Sequence, residues 1–185
     1  MKRRLVAIAL ALSLLLSACD LAPATPTPRS ANDPALANLW NVTRVVDGDT
    51  IDVANVAAAK PVYRIRLIGI DTPETVDPRK PVQCFGREAS REATLLMNGQ
   101  QVKLEADPSQ DDSDVFGRLL RYVFLTSGEN VNLTMIRQGY AHEYTYRVPY
   151  KYQAEFKAAQ RDAEREQAGL WSPSTCAGDT TKPAA

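Results

Sequence analysis

The sequence predicts an α+β domain of mainly β structure, a five-stranded Greek-key barrel of the OB-fold type with about three helices. Three observations predict this fold: three strand-like segments come first, a helical segment separates them from two more strands, and two helical segments follow. A helix between the third and fourth of five strands is typical of this barrel. Of the 185 residues, roughly 145, from Leu39 onward, remain once the N-terminal export segment and the tether after it are set aside, which is enough for one domain.

The first three strands are predicted over residues 39–47, 50–56 and 62–70. Asp47-Gly48, between the first two, is a common signal for a hairpin turn. The third segment, VYRIRLIGI, alternates at first and is then continuously apolar. A loop rich in proline follows over residues 71–86, and its length indicates function or mobility rather than connection alone.

The remaining elements follow from helical spacing and capping residues. Residues 87–99 form a predicted helix with an apolar face and with Gly99 at the position of a C-terminal cap. Strands are predicted over 101–107 and 118–126, joined by the acidic stretch PSQDDSD. A short helix over 131–140 ends at Gly139, and a long charged helix covers 149–169, with Pro149 in its first turn and Gly169 at its end.

The N-terminus is predicted to be an export signal, over residues 1–18. Three basic residues precede an apolar stretch of twelve residues, which is too short to span a bilayer. Leu16-Ser17-Ala18-Cys19 resembles the bacterial lipoprotein box, which implies cleavage before Cys19 and a lipid on its sulfur. The alternative is an ordinary signal peptide, with Cys19 a chance thiol.

The other segments have simple compositions. Residues 19–38, rich in Pro, Ala and Thr, are predicted to be a flexible tether, residues 39–176 the folded domain and residues 177–185 a disordered tail. We therefore expect an exported lipoprotein that is anchored to the cell membrane and faces the extracytoplasmic space. We also expect a monomer.

Charge and cysteine content restrict the function classes. The chain has 22 basic and 22 acidic residues; cleavage before Cys19 removes three basic ones and leaves 19 against 22, a net charge of −3. A basic surface for nucleic acid would have to be local, and the acidic run of residues 111–114 would repel a polyanion. With Cys19 lipidated, Cys84 and Cys176 remain in an oxidising compartment and are predicted to form a disulfide.

The segment VVDGDTIDV places Asp47, Asp49 and Asp52 around one glycine. An EF-hand loop that begins at Asp47 would need Asp or Asn at its fifth position and Gly at its sixth, where this chain has Ile51 and Asp52. That site is excluded. A turn explains Asp47-Gly48, whereas Asp49 opens the second strand and is a candidate metal ligand.

The segment IDTPE provides further oxygen ligands. Asp71 ends a strand, Pro73 makes the turn stiff, and Glu74 follows within reach of the same space. Calcium binds carboxylates, backbone carbonyls and water. Asp49, Asp71 and the Thr72 carbonyl would supply three oxygens; a capped turn is the alternative.

Arginines on the same strands suggest phosphate chemistry. Arg64 and Arg66 share one face of the third strand, and Arg118 begins the fifth. A guanidinium group fits two phosphate oxygens in a way that a lysine does not, although Arg64 is also explained as an ordinary residue on a solvated face. Acids for a metal together with arginines for phosphate indicate a phosphodiesterase.

These motifs resemble those of the staphylococcal nuclease, or thermonuclease, family. The matching blocks, in chain order across the folded domain, are VVDGDTI, RIRLIGIDTPE, FGREAS, DVFGRLLRYVF, VNLTMIRQGYA and GLWS. The resemblance implies the OB-fold and an endonuclease that depends on one Ca²⁺ ion and acts on DNA and RNA. It implies that Asp49 and Asp71 bind the ion by their side chains and Thr72 by its carbonyl.

The resemblance also implies the catalytic roles. Arg66 would hold the scissile phosphate and stabilise its transition state, Glu74 would orient or deprotonate the attacking water, and Arg118 would neutralise charge on the phosphate or the leaving oxygen. In-line attack would break the P–O5′ bond and leave a 3′-phosphate. Tyr144 and Tyr146 would contact the base and phosphate of the bound nucleotide, unless both merely cover the core.

Two features limit what the resemblance implies. Val115-Phe116 stands where family members often have a basic residue and a tyrosine, which predicts a weaker hold on a terminal phosphate. His142, the only histidine, is interpreted as a surface residue without a catalytic role. The alternative function is a catalytically silent nucleic-acid-binding module on the same fold, but Asp49, Asp71 and the catalytic side chains are all retained.

Overall fold

Seven strands and three α-helices follow one another along residues 38–79 and 81–184, the part of the chain that this computed structural model describes. The strands are β1 (Leu39–Val45), β2 (Thr50–Asn55), β3 (Ala58–Leu67), β4 (Ile70–Asp71), β5 (Gln101–Glu105), β6 (Leu119–Leu125) and β7 (His142–Glu143). The helices are α1 (Gly86–Met97), α2 (Val131–Arg137) and α3 (Gln153–Glu166).

Five of the strands close into a barrel in the order β1-β2-β3-β6-β5, with β5 returning to β1. Each pair of neighbours is antiparallel except β3 and β6, which are parallel. The predicted five-stranded barrel with three helices is therefore confirmed. The two shortest strands, β4 and β7, pair separately and set Asp71 opposite His142.

The third predicted strand is wrong at both ends. It begins four residues earlier, at Ala58, and stops at Leu67, because the chain turns at Gly69 with φ of 77° before β4 resumes. A Cβ atom on Gly69 would lie 2.6 Å from the Tyr150 ring, so the turn needs glycine for space as well as for conformation. This turn carries the chain out of the barrel and delivers Asp71 to the site described below.

The long helix is shorter than predicted and starts later. α3 begins at Gln153 rather than near Pro149, because the Lys151 amide donates to Asp107 Oδ2 at 2.7 Å instead of joining the helix. The helix ends at Glu166; the next residue, Gln167, adopts a left-handed conformation, and Gly169 belongs to a separate 3₁₀ turn. At the N-terminal end a tertiary contact thus overrides the local capping signal.

The core lies inside the barrel and beneath the helices that cover it. The strands contribute alternating β-branched and leucine side chains, and each helix adds residues from one face. Fully buried large side chains include Ile51, Val53, Ile65, Leu67, Met97, Val102, Tyr122, Met135, Ile136 and Phe156. Tyr122 is the one with a hydroxyl group, and it donates to Asp107 at 2.7 Å.

The sequence predicts a disordered tail over residues 177–185, and residues 177–184 are described with a defined backbone course. A disulfide joins Cys84 to Cys176, with their Cα atoms 5.9 Å apart. From there the backbone returns along residues 82–84: the Cys84 amide donates to the Lys182 carbonyl at 2.8 Å, and the Ala184 amide donates to the Val82 carbonyl at 2.7 Å. The disulfide brings these backbone groups together, and their hydrogen bonds then order the tail.

The predicted signal peptide, its lipidation site at Cys19 and nearly all of the tether lie outside the described residues. Within the described part of the chain, every helix is too short or too polar to cross a membrane.

Replacing Asp107 by asparagine should lower the free energy of unfolding by about 2–4 kcal/mol, because this buried carboxylate accepts hydrogen bonds from Tyr122, Lys151 and Ser109. Burial alone would raise the pKa of Asp107, but these bonds lower it below 3.8. Its stabilising effect is therefore present above pH 3.8 and is lost as the carboxylate protonates in more acidic solution.

Denaturant unfolding of both proteins at neutral pH and at about pH 3 checks this, and the difference between them should shrink at the lower pH. Asp111→Asn, at an exposed neighbouring position, is the control and should change stability little. An equal deficit at both pH values would contradict the assignment.

Candidate active site

The turn between β1 and β2 presents one buried carboxylate. The Val46 amide donates to the Thr50 carbonyl at 2.9 Å, and the Asp49 amide donates to Asp47 Oδ1 at 3.1 Å, so Asp47 serves the turn. Asp49 is only 5% exposed, and its Oδ2 accepts bonds of 2.9 Å from both the amide and the hydroxyl group of Thr72. The hairpin and the IDTPE turn are thereby joined.

Gly48 allows this close approach. A Cβ atom at position 48 would lie 2.7 Å from the Thr72 side chain, which is closer than real Cβ contacts come. The glycine of VVDGDTIDV is therefore required for space, so that Thr72 can reach Asp49.

Arg66 on β3 lies between two of the predicted metal ligands. Its Nη1 is 3.2 Å from Asp49 Oδ2 and its Nη2 is 2.9 Å from Asp71 Oδ1. The same Nη1 also donates to the carbonyls of Leu67 and Ile70, which fixes the plane of the guanidinium group. Its side chain is only 15% exposed, so it is held in place before any ligand arrives.

Glu74 has a different kind of support, since it stands on a loop. Its Oε1 accepts the backbone amides of Thr75, Val76 and Asp77 at 2.8, 2.7 and 3.1 Å. Two hydrogen bonds join the main chain of Glu74 to Gln83: the Glu74 amide donates to Gln83 Oε1, and the Gln83 amide donates to the Glu74 carbonyl. The carboxylate is therefore oriented by its own turn and not by the barrel.

Arg118 approaches from the start of β6. Its Nε donates to Asp114 Oδ2 at 2.6 Å, its Nη1 reaches the Thr50 hydroxyl at 3.5 Å, and the guanidinium carbon is 5.4 Å from the centre of the Phe116 ring. Asp114 is a partner that the sequence analysis missed, although its spacing of four residues from Arg118 is visible in DVFGR. The pair holds Arg118 at the edge of the cleft.

All six side chains or backbone groups predicted for catalysis and metal binding line one cleft of about 160 Å³. Its lining residues are Asp47, Asp49, Arg66, Asp71, Thr72, Pro73, Glu74 and Arg118. Arg64 is not among them: it forms an ion pair with Asp52 on the solvated face of the barrel, with N–O distances of 2.8 and 3.1 Å. Asp52, the third acid of VVDGDTIDV, is thereby accounted for.

The cleft holds four carboxylates against two guanidinium groups. Burial, and then the charge of Asp49, raise the pKa of Asp47 to about 6. Among the described residues, no group of three or more His, Cys, Asp or Glu side chains is placed to enclose a metal ion by itself. The donor set of carboxylates and a backbone carbonyl suits a hard cation that completes its shell with water or phosphate oxygens.

A wider cavity of about 640 Å³ adjoins the cleft and shares Arg66, Asp71 and Arg118 with it. Tyr144 and Tyr146 lie along it with ring centres 6.3 Å apart and are 44% and 64% exposed, so neither covers the core. On the turn before β6, Phe116 is 80% exposed.

Phe116 was predicted only as a departure from the family pattern, and the structure places its ring in the wall of this cavity. The cavity therefore has aromatic rings on two separate segments of the chain. His142 is not part of either cavity lining; it is half-buried against the Trp171 ring, 4.8 Å away, and not the surface residue that was predicted.

An OB-fold barrel with an acidic, arginine-bearing cleft beside an aromatic cavity has the charge pattern of a phosphodiester-hydrolysing protein. A model of the family described as staphylococcal nuclease homologue matches residues 64–173, which run from β3 to just after the 3₁₀ turn. The chain belongs to the staphylococcal nuclease family.

Named relatives extend the match. The thermonuclease of Staphylococcus hyicus is 36% identical over 165 residues, covering 89% of this chain and 94% of that protein. The thermonuclease of Staphylococcus intermedius is 38% identical over 146 residues, covering 79% and 83%. Endonuclease YncB of Bacillus subtilis (strain 168) is 36% identical over 154 residues, covering 80% and 68%. These homologues support a nuclease of the family.

Replacing Gly48 by alanine should lower the free energy of unfolding by about 1–3 kcal/mol, because the new methyl group would push Thr72 away from Asp49. Denaturant unfolding measures this loss. Adding Thr72→Ser, which removes one of the crowded atoms, should recover part of it, whereas purely additive losses would contradict the steric explanation.

Proposed function

We propose that this chain is a Ca²⁺-dependent endonuclease that hydrolyses DNA and RNA at the P–O5′ bond and leaves 3′-phosphate ends. The observation that carries the proposal is the single cleft in which Asp49, Asp71, Arg66, Glu74 and Arg118 meet. The names of the relatives, thermonucleases and an endonuclease, support the same activity.

The carboxylates of Asp49 and Asp71 and the carbonyl of Thr72 would hold the calcium ion. When bound, the ion supplies positive charge that polarises a phosphate oxygen and draws the scissile group into the cleft. Asp47 stands behind Asp49 and stabilises the turn that carries it by accepting a hydrogen bond from the Asp49 amide. Thr72 orients Asp49 through two hydrogen bonds, so the β1–β2 turn and the IDTPE turn are fixed relative to each other.

The two arginines would contact the phosphate from different sides. Arg66, fixed by Asp49 and Asp71, presents its guanidinium group beside the ion-binding carboxylates. Arg118 approaches from the edge near the aromatic cavity. Charge that develops on the equatorial and leaving oxygens of the transition state is thereby met by donors that need no rearrangement of the backbone.

Glu74 would act on the attacking water. In the proposed step a water oxygen attacks phosphorus in line with the leaving 5′-oxygen, the new P–O bond forms as the P–O5′ bond breaks, and the water proton passes to the Glu74 carboxylate. The 5′-oxygen departs and is protonated from solvent, and the phosphate stays on the 3′ side. Because Oε1 is held by three backbone amides, the orientation of this carboxylate is set by the turn.

The aromatic cavity would take the bases of a single strand. Stacking on Tyr144, Tyr146 and Phe116 does not depend on base identity, which suits an enzyme that accepts many sequences and both sugars. Bases in a paired duplex are already stacked on one another, so the cavity favours unpaired nucleotides. Val115, at 83% exposure, adds apolar surface beside Phe116 where a basic residue would have held a terminal phosphate.

The proposal includes the location of the enzyme. Cleavage before Cys19 and lipidation of its sulfur would leave a monomeric domain on a short tether at the membrane, facing the extracytoplasmic space. The Cys84–Cys176 disulfide is typical of an oxidising compartment and supports this placement.

The test uses residues 20–185 with single-stranded DNA, in Ca²⁺ or in EGTA. We expect cleavage only with Ca²⁺, with 3′-phosphate products. Glu74→Gln should bind Ca²⁺ and nucleotide nearly as well as the unaltered protein while its kcat falls by about 10²-fold or more, because it loses the group that acts on water. Arg118→Ala should also remove most of the activity.

Arg64→Ala is the matched control, since Arg64 pairs with Asp52 outside the cleft and its loss should leave kcat unchanged. Ca²⁺ and nucleotide binding without cleavage by the unaltered protein would instead identify the chain as a silent binding module.

Tyr146→Ala and Phe116→Ala should each raise KM for a single-stranded oligonucleotide by about 5- to 100-fold with little change in kcat, because a stacking surface is lost and the reacting groups are not. Steady-state kinetics on the oligonucleotide measure this. Tyr63→Ala, an exposed aromatic on β3 that packs against Trp40, is the control. A fall in kcat at constant KM would place these rings in the chemical step instead.

A further inference from the structure

Glu74 lies outside the barrel, so contacts other than those of the barrel strands must hold it in place. Arg66 stands on a barrel strand, Asp49 and Arg118 each directly precede one, and Asp71 stands on β4, whereas Glu74 stands on the loop between β4 and α1. Precise placement of a group that acts on water requires that its backbone be held as firmly as those of its neighbours. The contacts of residues 82–86 supply that support.

Gln83 is bonded to the main chain of Glu74 twice. Its side-chain Oε1 accepts the Glu74 amide at 2.7 Å, and its own amide donates to the Glu74 carbonyl at 2.9 Å. Gly86 packs closely against the same turn: a Cβ atom at position 86 would lie 2.8 Å from the Thr75 side chain and 3.1 Å from the Glu74 carbonyl oxygen. The turn that orients the Glu74 carboxylate therefore rests directly on residues 83–86.

The opposite side of Gln83 is held by the end of the chain. We call residues 176–184 the C-terminal strap. Gln83 forms an antiparallel bridge with Pro183, while backbone bonds join Cys84 to Lys182 and Val82 to Ala184. Cys176, which is 1% exposed, attaches the strap covalently to Cys84, the residue next to Gln83.

We propose that Gln83 is a positioning residue for Glu74 and that the C-terminal strap, fixed by the Cys84–Cys176 bond, holds Gln83 in place. This inference rests on the proposed function, in which Glu74 acts on the attacking water. Turnover then depends on a disulfide that touches neither the substrate nor the cleft. Two backbone bonds join the strap to residues 82 and 84. Gln83, between them, is joined to the main chain of Glu74 by one side-chain bond and one backbone bond.

The first test removes the acceptor oxygen and keeps the length of the side chain. Gln83→Met should lower kcat by about 10-fold or more and leave KM within about 2-fold, because Glu74 is misplaced while the phosphate and base contacts are intact. Gln83→Glu, which retains an oxygen at the same position, should recover most of kcat. Gln100→Met, at an exposed glutamine before β5, is the matched control.

The second test asks whether Gln83 acts through Glu74. In a Glu74→Gln background, measured in single turnovers, Gln83→Met should cause no further loss of rate, since the group that it positions is already inactive. A merely structural role for Gln83 would lower the rate equally in both backgrounds.

The third test removes the disulfide by the double substitution Cys84→Ser and Cys176→Ser. We expect the same fall in kcat at nearly constant KM, again without further effect in the Glu74→Gln background. Loss of the bond should also destabilise the fold, so circular dichroism must show folded protein at the assay temperature. Where this variant does not fold, deletion of residues 179–185 keeps the disulfide and removes the strap's bonds to residues 82–84.

The outcomes separate the two proposals. An unaltered protein that does not cleave in Ca²⁺ overturns the proposed function and this inference with it. An active protein in which Gln83→Met turns over normally, or in which its effect multiplies with that of Glu74→Gln, overturns the positioning role alone.

Discussion

The buried carboxylate of Asp49 is the constraint on which the rest of the site depends. A buried charge is costly unless it is paired and hydrogen-bonded, and here Thr72 supplies two hydrogen bonds and Arg66 supplies the opposite charge. Arg66 stands on β3 and Thr72 on the IDTPE turn, and both are distant in sequence from Asp49. Satisfying one carboxylate thus brings the β1–β2 turn, β3 and the IDTPE turn into a single cleft, and Gly48 provides the space that this requires.

The groups in the cleft differ in how they are held, and the difference follows from the fold. A closed barrel has no free edge and fixes Arg66 on β3, together with Asp49 and Arg118, which directly precede β2 and β6. Glu74 lies outside the barrel, on the loop between β4 and α1, and loops are ordinarily more mobile than strands. The chain orders this loop by different means: three backbone amides on the Glu74 carboxylate, Gln83 on its main chain, and a covalent link from Cys84 to the C-terminal strap.

Local sequence signals were sufficient to predict the barrel and the cleft residues, because alternation, turn glycines and the family motifs can each be recognised within a short stretch of chain. They were insufficient wherever distant contacts decide the structure. β7 is two residues long and exists because β4 lies beside it, and α3 begins at Gln153 because Asp107 takes the Lys151 amide. The roles of Gln83 and Phe116 have the same origin, since neither residue type nor spacing indicates what lies opposite them in space.

The acidic run before β6 shows how such contacts alter an electrostatic prediction. Taken as a sequence, residues 111–114 should repel nucleic acid, but Asp112 pairs with Arg121 at 2.7 Å and Asp114 pairs with Arg118 at 2.6 Å. Two carboxylates of this run are therefore paired with arginines: Asp114 holds Arg118 at the cleft, and Asp112 pairs with Arg121 on β6. With few basic side chains at the site, counterion release contributes little to affinity. In the proposed function, stacking in the aromatic cavity would then supply most of the binding energy, which predicts a preference for unpaired strands and a weak dependence on salt.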